Sequence, residues 1–233
     1  MRLLLDDINI KYLLIMRGAV MNKLMDSDAK STREKILETA INMFSERGYN
    51  NVSIREIAKE VGIKGSSIYN HFKSKEDILD SILQYNSNIG KDNYESSSVY
   101  ENIEQLISNM SLEEILMSAM KVSISFMNTE SIDKIFKIIS AEQLNNDKVR
   151  AFFLEEYIEQ PRRVLEKVFH KLAAQGKIKG FSAEMLADEF YSFIIFKYYE
   201  NYLLRKNTCL DFEKMQLEFS RHIKFFSTIV SKE

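Results

Sequence analysis

The chain has 233 residues, of which 45% are hydrophobic and 28% charged, a composition typical of globular rather than disordered proteins. Its formal net charge of −2 excludes a protein that is basic overall, but residues 26–75 hold nine Lys and Arg against seven Asp and Glu. This local excess of positive charge favours an anionic partner near residues 26–75. The single cysteine, Cys209, excludes an internal disulfide framework and fits a reducing cytoplasm.

The first 25 residues are apolar in patches but are interrupted by charged residues, unlike the unbroken apolar run of a signal peptide. We expect the true start to be Met21 or Met25, with residues 1–25 a product of gene prediction. The alternative is an extra amphipathic helix that packs on the body of the protein. Because no run of about 20 apolar residues occurs, the sequence predicts no membrane span.

The chain contains one proline, seven glycines and no sustained alternation of apolar and polar residues, which predicts an all-α fold. The first helix is predicted over Thr32–Arg47, with Ser31 or Thr32 as its cap. A second, short helix follows Ser53, which forms a capping box with Glu56.

The next segment predicts a tight turn at Gly62 and a third helix from Gly65 to about Phe72, before a fourth helix that starts at Ser74. Two short helices joined by a glycine turn, after a longer helix, form a helix-turn-helix pattern. In this arrangement one short helix protrudes from the surface of the domain, so that it fits the DNA major groove. We therefore predict a helix-turn-helix DNA-binding domain over residues 26–75.

The third helix needs only Ile68 and Phe72 on its buried side, so its other side chains can face DNA. Residues at its N-terminus are placed to reach base edges, although one of the two serines there is equally suited to cap the helix. Tyrosine and histidine near its end offer donors to phosphate oxygens. The predicted DNA-binding residues are Thr32, Arg33, Ser53, Lys64, Gly65, Ser66, Ser67, Tyr69, Asn70, His71 and Lys75.

Residues 32–79, TREKILETAINMFSERGYNNVSIREIAKEVGIKGSSIYNHFKSKEDIL, resemble the DNA-binding domain of the tetracycline-repressor (TetR) family of bacterial transcriptional regulators. The resemblance implies a homodimer that binds a palindromic operator on double-stranded DNA, usually as a repressor, and a larger helical domain that binds an effector. It also implies phosphate contacts by Tyr69, His71 and Lys75. The segment Lys64–Ser66 differs from the common family pattern, so we expect the choice of DNA sequence to reside there.

The remainder, residues 76–233, predicts five or six further helices that form an effector-binding and dimerisation domain. Pro161 is expected to break or kink a long helix over residues 147–176. Apolar side chains at helical spacing are more often plain core than ligand contacts, and we expect about a third of such residues to touch a small-molecule effector. The candidate pocket residues are Met117, Met120, Phe126, Phe136, Phe153 and Tyr157.

The helix predicted over residues 182–207 is apolar almost all round and needs burial on more than one side. We assign it, with the last helix over about 211–230, to a dimer interface. The resemblance implies a four-helix bundle with the symmetry mates. The predicted interface residues are Phe190, Phe193, Ile194, Tyr198, Tyr202, Phe219, Ile223 and Phe226.

Two functions stay open at this point. The leading hypothesis is a cytoplasmic, nucleoid-associated repressor released from its operator by an effector. The alternative is a DNA-bound interaction protein of the same fold, without an effector, whose C-terminal surface binds another protein. An enzyme is not predicted, because no nucleophile–base pair, paired carboxylates or phosphate loop occurs in the sequence. No metal site or cofactor is predicted either.

Overall fold

The computed structural model describes residues 31–94, 109–204 and 211–232, so the predictions for residues 1–25 lie outside the described residues. These described ranges consist of helices and turns, apart from one isolated antiparallel bridge between Ile178 and Ser231. The predicted all-α fold class is therefore confirmed.

The N-terminal helices follow the order expected of a helix-turn-helix domain. They are α1 (Thr32–Arg47), a 3₁₀ turn (Tyr49–Asn51), α2 (Ile54–Val61), α3 (Gly65–Ile68) and α4 (Lys75–Tyr94). Ser31 caps α1 and Ser53 caps α2, each in a reciprocal capping box with the glutamate three residues later. The helix starts predicted from these serines therefore agree with the structure.

The turn between α2 and α3 depends on Gly62, whose φ of 78° lies in the left-handed region that glycine adopts at little cost. The backbone N–H of Ile63 donates to the Ala58 carbonyl at 2.9 Å, and that of Gly62 donates to Lys59 at 3.2 Å. These two bonds form a Schellman motif, which satisfies carbonyls at the end of α2 and turns the chain towards α3.

The helix α3 is shorter than predicted, since regular helix ends at Ile68 and turns continue to His71. The cause lies just downstream. Ser74 Oγ accepts from the Asp77 N–H at 3.2 Å, and Asp77 accepts from the Lys73 N–H at 2.7 Å. This reciprocal cap fixes the start of α4 at Lys75, so the chain must change direction directly after α3.

The later helices are α5 (Leu112–Met127), α6 (Glu130–Glu142), α7 (Asp147–Leu154), α8 (Gln160–Ala174), α9 (Ala183–Tyr199) and α10 (Phe212–Val230). Two stretches of π-helix interrupt the regular pattern, Glu155–Glu159 before α8 and Glu200–Leu204 after α9. Pro161 lies in the first turn of α8, directly after the π-helical turn. Glu159 and Gln160 keep helical backbone angles, so the break or kink predicted at this proline is a π-helical turn within continuous helix.

The chain divides into two compact units, and each is discontinuous in sequence. The N-terminal unit contains the described residues up to Asn93 together with Thr129–Phe152. The C-terminal unit contains the described residues of Tyr94–Asn128 and those from Phe153 onwards. The helix α6 therefore belongs with the helix-turn-helix, whereas the sequence suggested one boundary at residue 75.

Each unit has its own apolar core. In the N-terminal unit, α1 buries Ile36, Ala40 and Phe44, and α6 contacts α1 directly. In the C-terminal unit, α5 packs on α10 and α8 packs on α9. The C-terminal core includes Leu112, Leu116, Met120, Phe169, Leu172, Leu186, Phe190, Phe219, Ile223 and Phe226.

Candidate nucleic-acid interface

Residues 64–71, here called the recognition segment, present polar side chains to solvent from a small apolar anchor. Ile68 and Phe72 are buried and fix the segment against the N-terminal unit. The exposed side chains are those of Lys64, Ser66, Tyr69, Asn70 and His71. Because Tyr69 is 58% exposed, its ring and hydroxyl are available to a partner outside the chain.

The polar side chains of the recognition segment are not used inside the protein. Among the described residues, none of them has a hydrogen-bond partner, and neither Ser66 nor Ser67 caps α3. Lys64 occupies the cap position, without a side-chain cap bond. A Cβ at Gly65 would meet only Arg55 Cγ, at 3.8 Å, so the fold itself does not require glycine there. The recognition segment thus has hydrogen-bond donors, and backbone without a side chain at Gly65, that are accessible to a partner molecule.

The framework behind this segment is tied by ion pairs and caps. Arg47, at the end of α1, lies 2.5 Å from Glu56 Oε1 and 3.1 Å from the Asn51 carbonyl oxygen. The hydrogen bond from Arg47, aided by those from Ser53, lowers the pKa of Glu56 from 4.5 to about 2. The carboxylate therefore stays ionised at neutral pH and links α1 to the first turn of α2.

Three of the predicted DNA-binding residues on the flanking helices are exposed. Thr32 and Arg33 lie in the first turn of α1, and Ser53 precedes α2. The Arg33 guanidinium lies 4.7 Å from the centroid of the Phe72 ring and donates to Ser81 Oγ at 3.2 Å. The Ser53 hydroxyl is engaged by Glu56 at 2.7 Å, so in this structure it serves the helix cap.

Lys75 is engaged within its own domain in this structure, and its predicted phosphate contact stays a prediction. Its Nζ donates to the carbonyl oxygens of Tyr49 at 3.0 Å and Val52 at 3.1 Å, and lies 4.2 Å from the centroid of the Tyr49 ring. The side chain is half-buried, and most of its donor capacity is used within the domain. The sequence could not reveal this position, because the two carbonyls come from a turn distant in the chain.

The predicted effector-pocket residues fall into three groups. Met117 and Met120 lie on α5, with Met120 in the C-terminal core and Met117 at a shallow depression beside Lys121. Phe153 and Tyr157 stack with centroids 5.7 Å apart. Phe136 is buried in the N-terminal unit. The side chain of Phe126 lies outside the described residues.

Most of the predicted dimer residues are committed to the core of a single chain. Five of them, Phe190, Tyr198, Phe219, Ile223 and Phe226, are buried, because α9 and α10 need them for contact with the neighbouring helices of their own unit. Phe193, Ile194 and Tyr202 are half-buried. The five buried members thus pack in the core of a single chain, and the assignment of the set to a dimer interface stays a prediction.

A different set of apolar side chains on these helices is exposed. On α10, Leu217 is 51% exposed, Phe225 67% and Ile229 45%; on α9, Met185 and Phe196 are at least half exposed. The three α10 residues, here called the α10 stripe, lie within an arc of about 120°. Separating the faces of α10 by spacing would have found the stripe, since Met215, Phe219, Ile223 and Phe226 form the buried one.

The described residues contain no group of three His, Cys, Asp or Glu side chains arranged to hold a metal ion. Among the described helices, none combines the length and the apolar run that a membrane crossing needs.

A family model for bacterial regulatory proteins of the tetR family matches residues 36–82. IcaR of Staphylococcus aureus strain Newman, the negative transcriptional regulator of the biofilm operon icaADBC, is 36% identical over 86 residues, which cover 32% of this chain and 45% of IcaR. An HTH-type transcriptional regulator of S. aureus strain USA300 is 43% identical over 60 residues, which cover 26% of this chain and 32% of that protein. The chain thus spans less than half the length of these curated relatives.

Solved structures share the fold over most of the chain. A TetR family regulator of Pseudomonas syringae matches with a TM-score of 0.63 and 18% identity, covering 86% of this chain and 97% of that one. A transcriptional regulator of Saccharomonospora viridis in complex with choline matches with a TM-score of 0.62 and 21% identity, covering 86% and 98%. AibR in complex with isovaleryl coenzyme A and operator DNA matches with a TM-score of 0.56 and 20% identity, covering 82% and 96%.

These relatives are regulators and not enzymes, in agreement with the prediction from the sequence. The matched residues 36–82 contain the recognition segment and both of its anchors. Residues 36–82 thus match the tetR family of bacterial regulatory proteins, and most of the chain shares its fold with solved regulators of that family.

Proposed function

We propose that the protein is a dimeric transcriptional repressor that binds operator DNA through the recognition segment and is released by a small-molecule effector. The observation that carries the proposal is the recognition segment itself: exposed donors without internal partners, held on two buried anchors. The name of IcaR as a negative regulator supports repression. Such a repressor acts in the cytoplasm, on the DNA of the nucleoid.

Within this proposal, the two ends of the recognition segment have different tasks. Lys64, Gly65, Ser66 and Ser67 face base edges, because residues at the start of a recognition helix reach into the major groove. Tyr69, Asn70 and His71 lie beyond the helix, where they bind phosphate oxygens and position the protein. Thr32 and Arg33, at the N-terminus of α1, add phosphate contacts at the flank.

A palindromic operator requires two copies of the recognition segment about 34–36 Å apart, and hence a dimer. We assign the dimer contact to α9 and α10, with the α10 stripe at its centre. The effector would bind the C-terminal unit, as the choline and isovaleryl coenzyme A complexes of fold neighbours suggest by analogy.

The test starts with selection of duplexes from a random library by the full-length protein. Lys64→Ala and Tyr69→Phe are then compared with the parent on the selected duplex over a range of salt concentrations. We expect each variant to bind about tenfold more weakly, since a hydrogen bond to a charged group or a base contact contributes about 1–3 kcal/mol. Lys167→Ala, an exposed lysine on α8, is the matched control and should bind like the parent.

Two results would contradict the proposal. One is a selection that enriches no duplex; the other is binding by Lys64→Ala and Tyr69→Phe that equals the parent at every salt concentration. The proposed binding of a small-molecule effector is tested separately, because a ligand that binds only the folded protein raises its melting temperature. A metabolite library should therefore contain a compound that raises the melting temperature and also displaces the protein from the selected duplex.

A further inference from the structure

Lys75 begins α4, where a cation does not suit the helix itself. The N-terminus of a helix carries partial positive charge, which disfavours a lysine in the first turn. The side chain is also half-buried, although lysine is among the residue types that are mostly exposed. A residue that departs from two local rules indicates a specific role.

The ammonium group of Lys75 is held by the turn at residues 49–52, which joins α1 to α2. Its Nζ donates to the carbonyl oxygen of Tyr49 at 3.0 Å and to that of Val52 at 3.1 Å. It also lies 4.2 Å from the centroid of the Tyr49 ring, within the range of a cation–π contact. Two of the three N–H donors of the ammonium are thus used inside the domain.

The turn that binds Lys75 is itself fixed on α1. The Tyr49 carbonyl oxygen also accepts from the Val52 N–H at 3.3 Å, so the lysine joins a hydrogen bond that already closes the turn. The Tyr49 ring is buried and meets the Phe44 ring of α1 edge-on, with centroids 5.1 Å apart. Lys75 therefore connects the start of α4 to a rigid part of the N-terminal unit.

This contact joins the two ends of the helix-turn-helix. Val52 directly precedes Ser53, the cap of α2, and Lys75 lies shortly after Phe72, the second anchor of the recognition segment. The chain from Val52 to Lys75 is thus a loop that the lysine closes, and the recognition segment lies within it. Because this segment is anchored only by Ile68 and Phe72, its orientation depends on how the ends of the loop are held.

We propose that Lys75 is a positioning residue for DNA recognition: its ammonium fastens the start of α4 to the turn at residues 49–52 and so fixes the orientation of the recognition segment. The inference rests on the proposed DNA-binding function. It differs from the phosphate contact that the sequence predicts for this residue. A phosphate contact strengthens binding to any duplex, whereas a positioning contact matters where base edges are read.

The experiment uses full-length protein, a duplex selected from a random library by the wild type, and a scrambled duplex of the same length and composition. Lys75→Met removes both hydrogen bonds and keeps a side chain of similar length. It should reduce the ratio of the two affinities about tenfold, the discrimination that one base contact supplies. The salt dependence on the scrambled duplex should not change, whereas loss of a phosphate contact would reduce the slope of log affinity against log salt by about 0.9.

Lys73→Met is the matched control, since Lys73 is an exposed lysine close to Lys75 in the chain. It removes the same charge and should leave the ratio of the two affinities unchanged. Amide hydrogen exchange at Val52 provides a second readout, because the Val52 N–H donates to the Tyr49 carbonyl oxygen that Lys75 also binds. This exchange should accelerate in Lys75→Met and not in the control.

A third measurement needs no variant, so it decides the matter even if Lys75→Met does not fold. An amine-reactive reagent modifies the lysines of the wild type with and without the selected duplex, and mass spectrometry follows the rate at each residue. In the free protein Lys75 should react more slowly than Lys73, because its ammonium is already engaged. The duplex should not slow the reaction of Lys75 further.

The inference is overturned if Lys75→Met keeps the wild-type ratio, or if it weakens both duplexes equally, as loss of a phosphate contact or general destabilisation would. It is also overturned if Lys75 reacts as fast as Lys73 in the free protein, or is protected only when the duplex is present. If the wild type selects no duplex at all, the proposed function fails, and this inference falls with it. A selected duplex with an unchanged ratio contradicts this inference alone.

Discussion

At the scale of single residues, Glu56 shows how a helix cap and an ion pair cooperate. One carboxylate oxygen accepts from the Ser53 backbone at 2.8 Å and from its hydroxyl at 2.7 Å, while the other meets Arg47. The same side chain therefore caps α2 and ties it to the end of α1. Since α2 leads into the turn before the recognition segment, Glu56 stabilises the framework that holds this segment.

Replacement of Glu56 should change the acid stability of the protein. The pKa of about 2 in the folded state lies below the usual 4.5, so the stabilisation is present above about pH 4.5 and is lost as the pH falls towards 2. Glu56→Gln should therefore be less stable at neutral pH and should lose less further stability on acidification. Urea unfolding at a series of pH values between 7 and about 2.5 measures both effects.

Glu60→Gln, on the same helix, is the control for this prediction, because Glu60 has no hydrogen-bond partner among the described residues. Its unfolding free energy should follow the wild type over the whole pH range. If the unfolding free energies of Glu56→Gln and wild type change in parallel with pH, the carboxylate contributes nothing specific to the cap.

At the scale of elements, local signals predicted the helix starts and failed where distant contacts decide. Ser53 and Glu56 predicted the start of α2, because a capping box depends only on residues within one four-residue segment. The position of Lys75 could not be predicted, since its carbonyl partners belong to a turn more than twenty residues upstream. The hydrophobic pattern of α10 correctly predicted that one face of this helix is buried. The pattern does not show whether the same chain or a second copy of the protein covers that face.

The contact between α9 and α10 contains a histidine that should make stability depend on pH. His222 stacks on Phe193 with centroids 4.3 Å apart and on Phe190 at 5.1 Å, and its Nε2 lies 3.1 Å from the Phe190 carbonyl oxygen. Burial lowers the pKa of His222 below 6.5, and the Phe190 hydrogen bond opposes this only in part. The folded protein thus favours the neutral ring.

Acidification should therefore destabilise the C-terminal unit through His222. With a folded pKa below the unfolded one, the stabilisation is complete above about pH 6.5 and is lost as the pH falls through the lowered folded value. The phenylalanine in His222→Phe keeps the ring stacking and cannot be protonated. The melting temperature of this variant should therefore fall less between pH 7.5 and 5 than that of the wild type. The exposed His170, replaced by Gln, should behave like wild type; an unchanged pH response in His222→Phe would contradict the assignment.

At the scale of the whole molecule, the chain consists of two compact units, each discontinuous in sequence. The N-terminal unit contains α6 and most of α7 together with the helix-turn-helix, so it extends beyond residues 36–82, which the family model matches. The C-terminal unit buries five of the eight residues that the sequence assigned to a dimer and leaves other apolar residues exposed. Under the proposed function, an operator with two half-sites requires two associated chains, and the proposal places the α10 stripe at their contact.

The α10 stripe and the buried face of α10 should respond differently to substitution. Phe225 is 67% exposed, so Phe225→Glu should leave the fold intact and convert the proposed dimer to a monomer, because two new charges would face each other across the proposed symmetric interface. Ile223 is 1% exposed, so Ile223→Ala should cost about 2–5 kcal/mol of folding stability.

Phe181→Glu, outside α9 and α10, is the control for an exposed apolar residue that becomes charged. Sedimentation velocity and thermal melting on the same samples separate the two effects. A Phe225→Glu variant that still sediments as a dimer with unchanged melting would remove the stripe from the interface and return the dimer contact to the half-buried Phe193, Ile194 and Tyr202.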